Sequence, residues 1–544
     1  MATPLLQVEN LSVSFHTDEG RVDAVRDVSF DIQPGEVVGL VGESGSGKSV
    51  AALSCLRLIP MPPGEIRSGR AIFDGRDLLK LPIDELRKVR GAEISFIFQE
   101  PMTALSPLST VGWQLAETVR LHRPETDFQT AWNIGVSWLE KVGIPDAATR
   151  AQVYPYQFSG GMRQRVMIAM ALILEPRLII ADEPTTALDV TLQAQIFDLI
   201  LAMKKEHTSI LFITHDMGVI WELSDRVLVM KDGQVVERGP VDQIFHAPAQ
   251  PYTQALLRAV PRIDAPAPPR RLAETEETPL VCVRNLRTWF PIKRGVFART
   301  VGHVKAVDDV SIDVFPGETL GIVGESGSGK TTLGRSILRL DTAREGSVFF
   351  RGEDLLAMPH RELRPKRRHL QMIFQDPFSS LNPRFTVQEI VTEGLIEHNL
   401  LNGESPRDAA VRWLEEVGLK SEHIDRYPHE FSGGQRQRIC VARAIAVQPD
   451  FIVCDEAVSA LDVTIQAKVI DLLIDLRKRY GLSYLFISHD LAVVKKISDR
   501  VVVMRHGKIV EQGPADAVID HPKEEYTRRL IAAVPVPGGV RKRA

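Results

Sequence analysis

Short apolar runs recur along the chain and predict buried strands. Three runs in the first half have counterparts in the second half: VVGLVG (37–42) with LGIVG (320–324), LIIAD (178–182) with FIVCD (451–455), and ILFITHD (210–216) with YLFISHD (484–490). Because helical segments separate these runs, the pattern predicts a mainly parallel, buried sheet with helices on both faces. The alternating segment VVVMRHGKIVEQG (501–513) predicts an additional antiparallel portion.

The same landmarks indicate that one domain occurs twice. Lys48 and Lys330 are 282 positions apart, and Asp182 and Asp455 are 273 positions apart. So steady an offset indicates a duplicated domain, because solenoid repeats are far shorter.

A proline-rich segment separates the two copies. The stretch PRIDAPAPPRRLAETEETP (261–279) combines five prolines with an acidic run, which is typical of a semi-rigid linker. The sequence therefore predicts two tandem α/β domains, at 1–262 and 280–544, joined by a linker at 263–279.

Composition is that of an ordinary globular protein and argues against several classes. The 544 residues are 44% hydrophobic and 25% charged, with a net charge of −4, whereas nucleic-acid binders usually carry a strong basic bias. The longest apolar run, VMIAMALIL (166–174), is shorter than the roughly 18 residues that a membrane-spanning helix needs. The N-terminus lacks a basic segment followed by an apolar one, so we expect no signal peptide. We expect buried thiols, and neither disulfides nor zinc ligands, at Cys55, Cys282, Cys440 and Cys454.

Each copy carries a glycine-rich phosphate-binding loop, or P-loop, between a predicted strand and a predicted helix. Its glycines let backbone N–H groups turn toward phosphate oxygens, its lysine neutralises the β- and γ-phosphates, and its last hydroxyl ligates Mg²⁺. The alternative, a glycine-rich turn that binds nothing, does not explain two matches in the same strand-to-helix context. The predicted ATP-binding residues are Gly42, Glu43, Ser44, Gly45, Ser46, Gly47, Lys48 and Ser49 in the first copy, and Gly324, Glu325, Ser326, Gly327, Ser328, Gly329, Lys330 and Thr331 in the second.

An acidic pair ends one predicted strand in each copy. Carboxylates at the C-terminal end of such a strand lie beside the phosphate loop in open α/β sheets. Asp182 and Asp455 are therefore predicted to hold Mg²⁺ together with Ser49 and Thr331, and Glu183 and Glu456 to polarise the attacking water. The alternative for each pair alone is a solvated strand end.

The segments YQFSGGMRQR (156–165) and HEFSGGQRQR (429–438) resemble the signature of ABC-transporter ATPases. The resemblance covers nearly the whole chain twice, because five motifs recur in the family's order: the P-loop, a glutamine segment, the signature, the acidic pair with TTALD or VSALD, and a histidine. It implies ABC-type P-loop NTPase domains, each with an antiparallel β portion and a helical signature subdomain.

In that family two nucleotide-binding domains pair head to tail, so the resemblance implies that each ATP lies between the P-loop of one copy and the signature of the other. The first P-loop would face Ser432, Gly433, Gly434 and Gln435, and the second P-loop would face Ser159, Gly160 and Gly161. The resemblance further implies that Gln99 and Gln375 are catalytic residues and Mg²⁺ ligands, that His215 and His489 sense the γ-phosphate, and that Phe15 and Phe290 stack on adenine. Core packing is the alternative for the histidines and the aromatic residues. Met162, at the position of Gln435, removes one polar contact at the second site.

Two further pairs of segments are similar to those of peptide and nickel importers: FQEPMTALSP (98–107) with FQDPFSSLNP (374–383), and PYTQALLRAVP (251–261) with EYTRRLIAAVP (525–535). The resemblance implies import of glutathione, dipeptides or oligopeptides, with ATP and Mg²⁺ as cofactors. The implied partners are two transmembrane permease subunits and a periplasmic or extracellular substrate-binding protein, with the chain peripheral on the cytoplasmic face of the cell membrane. Many separate-chain members of the family carry a cysteine motif after the PYT segment that holds an iron–sulfur cluster. This sequence has no cysteine from 252 to 281 or after 454, so we predict no cluster.

Two alternatives remain at this point. One keeps transport but changes the cargo to nickel or an opine-like compound. The other is a soluble twin ATPase that acts on ribosomes or DNA, and the short proline-rich linker and the lack of a Cys-x-x-Cys motif argue against it.

Overall fold

The computed structural model describes residues 3–17, 20–185, 189–266, 277–294, 299–459 and 461–541. The centre of the predicted linker (267–276) and parts of the TTALD and VSALD motifs lie outside these residues. The chain divides into two compact units. The first comprises Met1–Leu188, Leu192–Val260 and Pro535–Ala544, and the second comprises Asp189–Thr191 and Pro261–Val534.

The first unit alternates strands and helices. Its strands are β1 Leu6–Thr17, β2 Gly20–Ile32, β3 Val37–Val41, β4 Gly64–Phe73, β5 Arg76–Asp77, β6 Ile94–Ile97, β7 Leu178–Asp182, β8 Ser209–Ile213, β9 Arg226–Lys231 and β10 Gln234–Pro240. Its helices are α1 Lys48–Cys55, α2 Ile83–Val89, α3 Pro101–Ala104, α4 Val111–His122, α5 Phe128–Lys141, α6 Ala147–Arg150, α7 Gly160–Leu172, α8 Val190–Met203, α9 Met217–Leu223, α10 Val241–His246 and α11 Pro251–Ala259.

The second unit repeats this order, except that a 3-10 turn, Ser421–His423, stands in the place of α6. Its strands are β11 Val281–Arg294, β12 Arg299–Val314, β13 Thr319–Val323, β14 Glu345–Phe350, β15 Glu353–Asp354, β16 Leu370–Ile373, β17 Phe451–Asp455, β18 Ser483–Ile487, β19 Arg500–Arg505 and β20 Lys508–Pro514. Its helices are α12 Lys330–Ile337, α13 His360–Lys366, α14 Pro377–Ser380, α15 Val387–Glu397, α16 Pro406–Glu416, α17 Gly433–Ala446, α18 Val463–Tyr480, α19 Leu491–Ile497, α20 Ala515–Asp520 and α21 Glu525–Ala532.

Each unit contains two sheets with the same topology. In the first unit, β2-β1-β4-β5 form an antiparallel sheet, and β10-β9-β3-β8-β7-β6 form a six-stranded sheet. All neighbours in the larger sheet are parallel except the edge pair β9 and β10. The second unit repeats these as β12-β11-β14-β15 and β16-β17-β18-β13-β19-β20. The predicted fold class, a mainly parallel sheet with an antiparallel portion, is confirmed.

The apolar runs of the sequence become the central strands. All five residues of β3, β7 and β8 are buried, as are those of β13, β17 and β18. Strands covered on both faces have no solvated side, which explains why these runs are continuously apolar and do not alternate. The sheet therefore places the ends of β3, β7 and β8, where the candidate motifs begin, at one edge.

The last part of the chain packs with the first unit, although the sequence placed all of 280–544 in the second domain. Trp221 Nε1 donates a hydrogen bond to the Gly539 carbonyl oxygen at 3.1 Å, and Arg541 Nη2 donates to the Ser224 carbonyl oxygen at 2.7 Å. Pro535 lies against Gly218 at the start of α9. These contacts make the C-terminal segment part of the first unit's surface around α9.

Across the part of the chain that the structure describes, no helix combines the length and the apolar composition that a transmembrane span requires.

Three of the four cysteines, Cys55, Cys440 and Cys454, are buried as predicted, whereas Cys282 on β11 is only half-buried. All four are free thiols.

Candidate functional site

The P-loop of each unit connects a buried central strand to a helix, β3 to α1 and β13 to α12. Gly47 and Gly329 precede the helices with left-handed φ values of 95° and 101°. A Cβ atom at either position would collide with a backbone carbonyl, that of Ala24 or Ala306. Only glycine fits this turn, which aims the first N–H groups of the helix into the loop.

The P-loop lysines are buried and folded over their own loops. Lys48 Nζ donates hydrogen bonds to the carbonyl oxygens of Gly42 and Glu43, both at 2.8 Å. Lys330 Nζ makes the same bonds to Gly324 at 2.8 Å and Glu325 at 2.9 Å. Burial lowers the pKa of Lys330 despite the surrounding carboxylates. Each lysine thus places a positive charge inside the loop, where a phosphate chain would lie.

A hydroxyl and a carboxylate meet beside each lysine. Ser49 Oγ donates to Asp182 Oδ1 at 2.9 Å, and Thr331 Oγ1 donates to Asp455 Oδ1 at 2.9 Å. Burial raises the pKa of Asp182 to about 6 and also raises that of Asp455. Paired hard oxygen ligands beside a phosphate loop fit Mg²⁺, which prefers oxygen donors.

The second acid of each pair is held in a strained backbone conformation. Glu183 and Glu456 have φ values of 44° and 45°, in the left-handed region that non-glycine residues rarely occupy. The N–H group of Glu183 donates to the carbonyl oxygen of Ile213 at 2.8 Å, and that of Glu456 donates to Ile487 at 2.9 Å. Strain of this kind persists where surrounding contacts over-determine it, and it clusters at functional sites.

Glutamine and histidine side chains converge on the strained glutamate of the first unit. Gln99 Nε2 donates to Glu183 Oε2 at 2.8 Å, while His215 Nδ1 lies 3.2 Å from Oε1. Gln99 comes from the end of β6 and His215 from the end of β8, the two strands that flank β7 in the sheet. The sheet order therefore explains why residues more than 80 positions apart share one carboxylate.

The second unit repeats this constellation. Gln375 Nε2 donates to Glu456 Oε2 at 2.8 Å, and His489 Nδ1 lies 3.5 Å from Oε1. Burial alone would raise the pKa of Glu456, but the hydrogen bond and positive charge of His489 outweigh burial and hold that pKa below its usual value. The pKa of His489 is raised in turn, because Glu456 outweighs the effect of burial there. The lowered pKa of Glu456 and the raised pKa of His489 both favour an ion pair between the two side chains.

The signature serines begin the long helices α7 and α17. Ser159 Oγ accepts a hydrogen bond from Met162 N at 3.3 Å, and Ser432 Oγ accepts from Gln435 N at 3.4 Å. Only Gln435 completes a capping box, because its Oε1 accepts from Ser432 N at 3.1 Å and a methionine cannot. The two helix starts therefore differ in the polar group beside their serines.

The signature glycines have different surroundings. A Cβ at Gly161 would overlap Leu192, and one at Gly434 would overlap Ile465. A Cβ at Gly160 would meet nothing within 4 Å, and one at Gly433 would meet only the tip of Leu461, at 3.9 Å. A side chain at the second glycine of each signature would therefore displace a neighbouring residue, whereas the first glycine has open space around it.

The predicted adenine-stacking residues lie on the antiparallel sheets. Phe290 on β11 is 43% exposed. Phe15 on β1 is half-buried and leans toward Gly64 on β4. Phe290 thus offers an open ring face, whereas Phe15 is engaged with its own sheet.

Several features of the sites were not anticipated from the sequence. These are the left-handed glutamates, the hydrogen bond from glutamine to glutamate, and a tyrosine contact to each P-loop. Tyr252 Oη accepts from Glu43 N, and Tyr526 Oη accepts from Glu325 N, both at 3.2 Å. The repeated PYT and EYT segments were the available signal for the tyrosines, because they recur at matching positions in both copies.

Two family models match both halves of the chain. The model of the ABC transporter family matches residues 25–186 and 307–459, and each range includes a P-loop and an acidic pair. A second family model, the C-terminal region of oligopeptide/dipeptide transporters, matches residues 236–283 and 510–544.

Sequence similarity to known proteins extends over nearly the whole chain. The glutathione import ATP-binding protein GsiA of Escherichia coli (strain K12) is 50% identical over 569 residues, covering 99% of this chain and 91% of that protein. GsiA of Salmonella choleraesuis (strain SC-B67) is 49% identical over 559 residues, covering 98% and 90%. Among solved structures, a dimeric bacterial ABC transporter cassette, MJ0796, is 26% identical with a TM-score of 0.39, and the match covers 43% of this chain and 98% of that chain. The family models and the relatives show that the chain belongs to the ABC transporter family, as an ATP-hydrolysing subunit with two cassettes.

Proposed function

We propose that this chain powers the import of glutathione or another short peptide by hydrolysing Mg²⁺-bound ATP at its two P-loop sites. The observation that supports two active sites is the matching geometry of Glu183 and Glu456. Each has a left-handed backbone and accepts a hydrogen bond from a glutamine at 2.8 Å. A degenerate site would have no reason to keep this strained arrangement.

Each residue of a site has a distinct task. The P-loop lysine supplies positive charge toward the β- and γ-phosphates, and the hydroxyl–carboxylate pair supplies oxygen ligands for Mg²⁺, with the glutamine as a further ligand. Bound Mg²⁺ would neutralise charge on the phosphates. The glutamate accepts the proton of the attacking water, and the histidine orients that glutamate and faces the γ-phosphate. Phe15 and Phe290 are proposed to stack on adenine.

We propose that each site is completed by the signature of the other cassette. The first P-loop would be paired with Ser432, Gly433, Gly434 and Gln435, and the second with Ser159, Gly160 and Gly161. A helix N-terminus presents N–H groups and a positive dipole end, which suits the γ-phosphate. The openness at Gly160 and Gly433 supports this role, because a phosphate oxygen needs close access to backbone. The proposed cassettes are 1–262 and 280–544, with a linker at 263–279.

Similar proteins support the proposed cargo and partners. The E. coli and Salmonella relatives are named as glutathione import proteins, and the oligopeptide/dipeptide model matches the end of each repeat. We therefore propose two transmembrane permease subunits and a separate substrate-binding protein as partners, with this chain on the cytoplasmic face of the membrane. We also propose that it carries no iron–sulfur cluster. The nickel, opine and soluble-ATPase alternatives are not favoured by these matches.

Reconstitution tests this proposal. The chain would be combined in liposomes with the two proposed permease subunits, and the substrate-binding protein would be loaded with glutathione, a dipeptide or Ni²⁺. We expect stimulated ATP hydrolysis and uptake with a peptide cargo only. Stimulation by Ni²⁺ alone, or failure of the chain to associate with any membrane subunit, would contradict the proposal.

A further inference from the structure

The C-terminal helix of each repeat carries, in its first turn, a tyrosine that reaches the P-loop of the same unit. Tyr252 is the second residue of α11 and Tyr526 is the second residue of α21. The hydroxyl oxygen of each accepts a hydrogen bond at 3.2 Å from the second residue of the P-loop, Glu43 N or Glu325 N. The two repeats thus reproduce the same contact over more than 200 sequence positions.

The contacted N–H group belongs to a peptide unit that the lysine also grips. The peptide between Gly324 and Glu325 offers its N–H to Tyr526 Oη and its C=O to Lys330 Nζ, at 3.2 and 2.8 Å. In the first unit, Tyr252 and Lys48 hold the peptide between Gly42 and Glu43 in the same way. A peptide is planar, so fixing its N–H direction also fixes the direction of the carbonyl that receives the lysine.

The tyrosines are themselves held in place. Arg505 lies over the ring of Tyr526, with its Cζ 4.8 Å from the ring centroid, and Lys231 Nζ lies 5.1 Å from that of Tyr252. Tyr526 is 7% exposed, and burial raises its pKa to about 12. The phenol of Tyr526 therefore stays neutral.

The hairpin of β19 and β20, which carries Arg505, also contacts the P-loop of the second unit. Gly507 N donates to the Ser328 carbonyl oxygen at 2.9 Å, and in the first unit Gly233 N donates to the Ser46 carbonyl oxygen at 3.1 Å. Tyrosine and hairpin together hold the beginning and the middle of the P-loop.

We infer that Tyr252 and Tyr526 are positioning residues for ATP binding, which set the P-loop peptide that orients the lysine. This inference rests on the proposed assignment of the P-loops as the ATP sites. The tyrosines do not touch the reacting atoms, so they are not catalytic residues. Their loss should weaken nucleotide binding and leave the hydrolytic step intact.

The test replaces the tyrosines with phenylalanine, which removes only the hydroxyl. In the full chain, Tyr252→Phe plus Tyr526→Phe should raise the KM for ATP about threefold to tenfold, as expected for one lost hydrogen bond per site. The kcat should stay within about twofold, because the glutamates are unchanged. Binding of fluorescent ADP should weaken by the same factor.

Two control variants separate positioning from general destabilisation. Tyr480→Phe removes an exposed hydroxyl that contacts Glu416, and should change neither KM nor thermal stability. Tyr484→Phe removes a buried hydroxyl that donates to the Leu473 carbonyl oxygen at 3.1 Å, and should lower the Tm with KM unchanged. If the double variant behaves like Tyr484→Phe, or if its kcat falls at constant KM, the inference is wrong.

A further double variant tests the proposed ATP sites separately from the role of the tyrosines. Lys48→Ala plus Lys330→Ala should weaken ADP binding at least about tenfold if the P-loops are the nucleotide sites. ADP affinity equal to that of the parent would overturn the proposed sites themselves. Weakened ADP binding there, together with unchanged KM in the tyrosine variant, would overturn only the role of the tyrosines.

Discussion

Replacing both strained glutamates with glutamine should stop hydrolysis while leaving ATP bound. The change is nearly isosteric, so the acceptor for Gln375 Nε2, now 2.8 Å from Glu456 Oε2, can be kept. What is lost is the ability to take a proton from water and the charge that faces His489 Nδ1 at 3.5 Å. The substitution therefore removes the proposed proton acceptor and keeps the hydrogen-bonded structure around it.

The two effects differ in size. A positioned general base contributes about 10²- to 10⁴-fold to kcat, which corresponds to about 2.7 to 5.5 kcal/mol on the barrier. Losing the partly exposed glutamate–histidine pair costs about 1 kcal/mol of folding free energy or less per site. For a domain of this size, that is a fall in Tm of about 4 °C or less.

The assay combines phosphate release with filter binding of labelled ATP. Glu183→Gln plus Glu456→Gln should lose at least about a hundredfold in kcat and retain ATP at stoichiometric amounts. Glu397→Gln, which alters an exposed ion pair with Arg364, should match the parent. A double variant that hydrolyses ATP within about threefold of the parent would refute the assignment, because the loss of a general base should lower kcat far more than that.

Three other outcomes are expected. Lys48→Ala should weaken ATP binding at the first site about tenfold to a hundredfold, because a charged donor is lost. Lys205→Ala, which alters only an exposed pair with Glu175, is its control, and equal affinities in equilibrium binding would contradict the lysine's role. Chelation by EDTA should abolish phosphate release and added Mg²⁺ should restore it; metal-independent turnover would exclude the hydroxyl–carboxylate site. Deleting residues 535–544 should expose Trp221, now 3% exposed, shift its fluorescence to the red and lower the Tm, whereas unchanged emission and melting would show that the segment does not stabilise the first unit.

Local motifs made much of this architecture predictable. The strands that carry the P-loops and the acids are short, continuously apolar runs that end on glycine or aspartate, so β3, β7, β13 and β17 could be placed within about a residue of their observed bounds. The P-loop itself is a local structure whose glycines and lysine are consecutive. Duplication gave every motif a second, independent occurrence.

Long-range contacts could not be predicted in the same way. The left-handed backbone of Glu183 is accompanied by a hydrogen bond from its N–H group to the Ile213 carbonyl oxygen of a neighbouring strand. The sequence around Glu183 does not predict that bond. The tyrosine contact joins Tyr252 to a loop more than 200 positions away. The C-terminal segment follows the second repeat in sequence yet packs around α9 of the first unit. Cys282 is half-buried because it lies on β11 of the antiparallel sheet, where an apolar neighbourhood in sequence does not guarantee burial.

Nucleotide trapping on the separated halves of the chain tests whether the signature of each cassette completes the ATP site of the other. A protease site introduced within 267–276 would allow vanadate-trapped, photolabelled nucleotide to be assigned to the half with Lys48 or the half with Lys330. We expect Ser432→Arg to abolish trapping on the half that contains Lys48, and Ser159→Arg to abolish it on the half that contains Lys330. If Ser432→Arg instead abolishes trapping only on the half that contains Lys330, each cassette completes its own site and the proposed pairing is wrong.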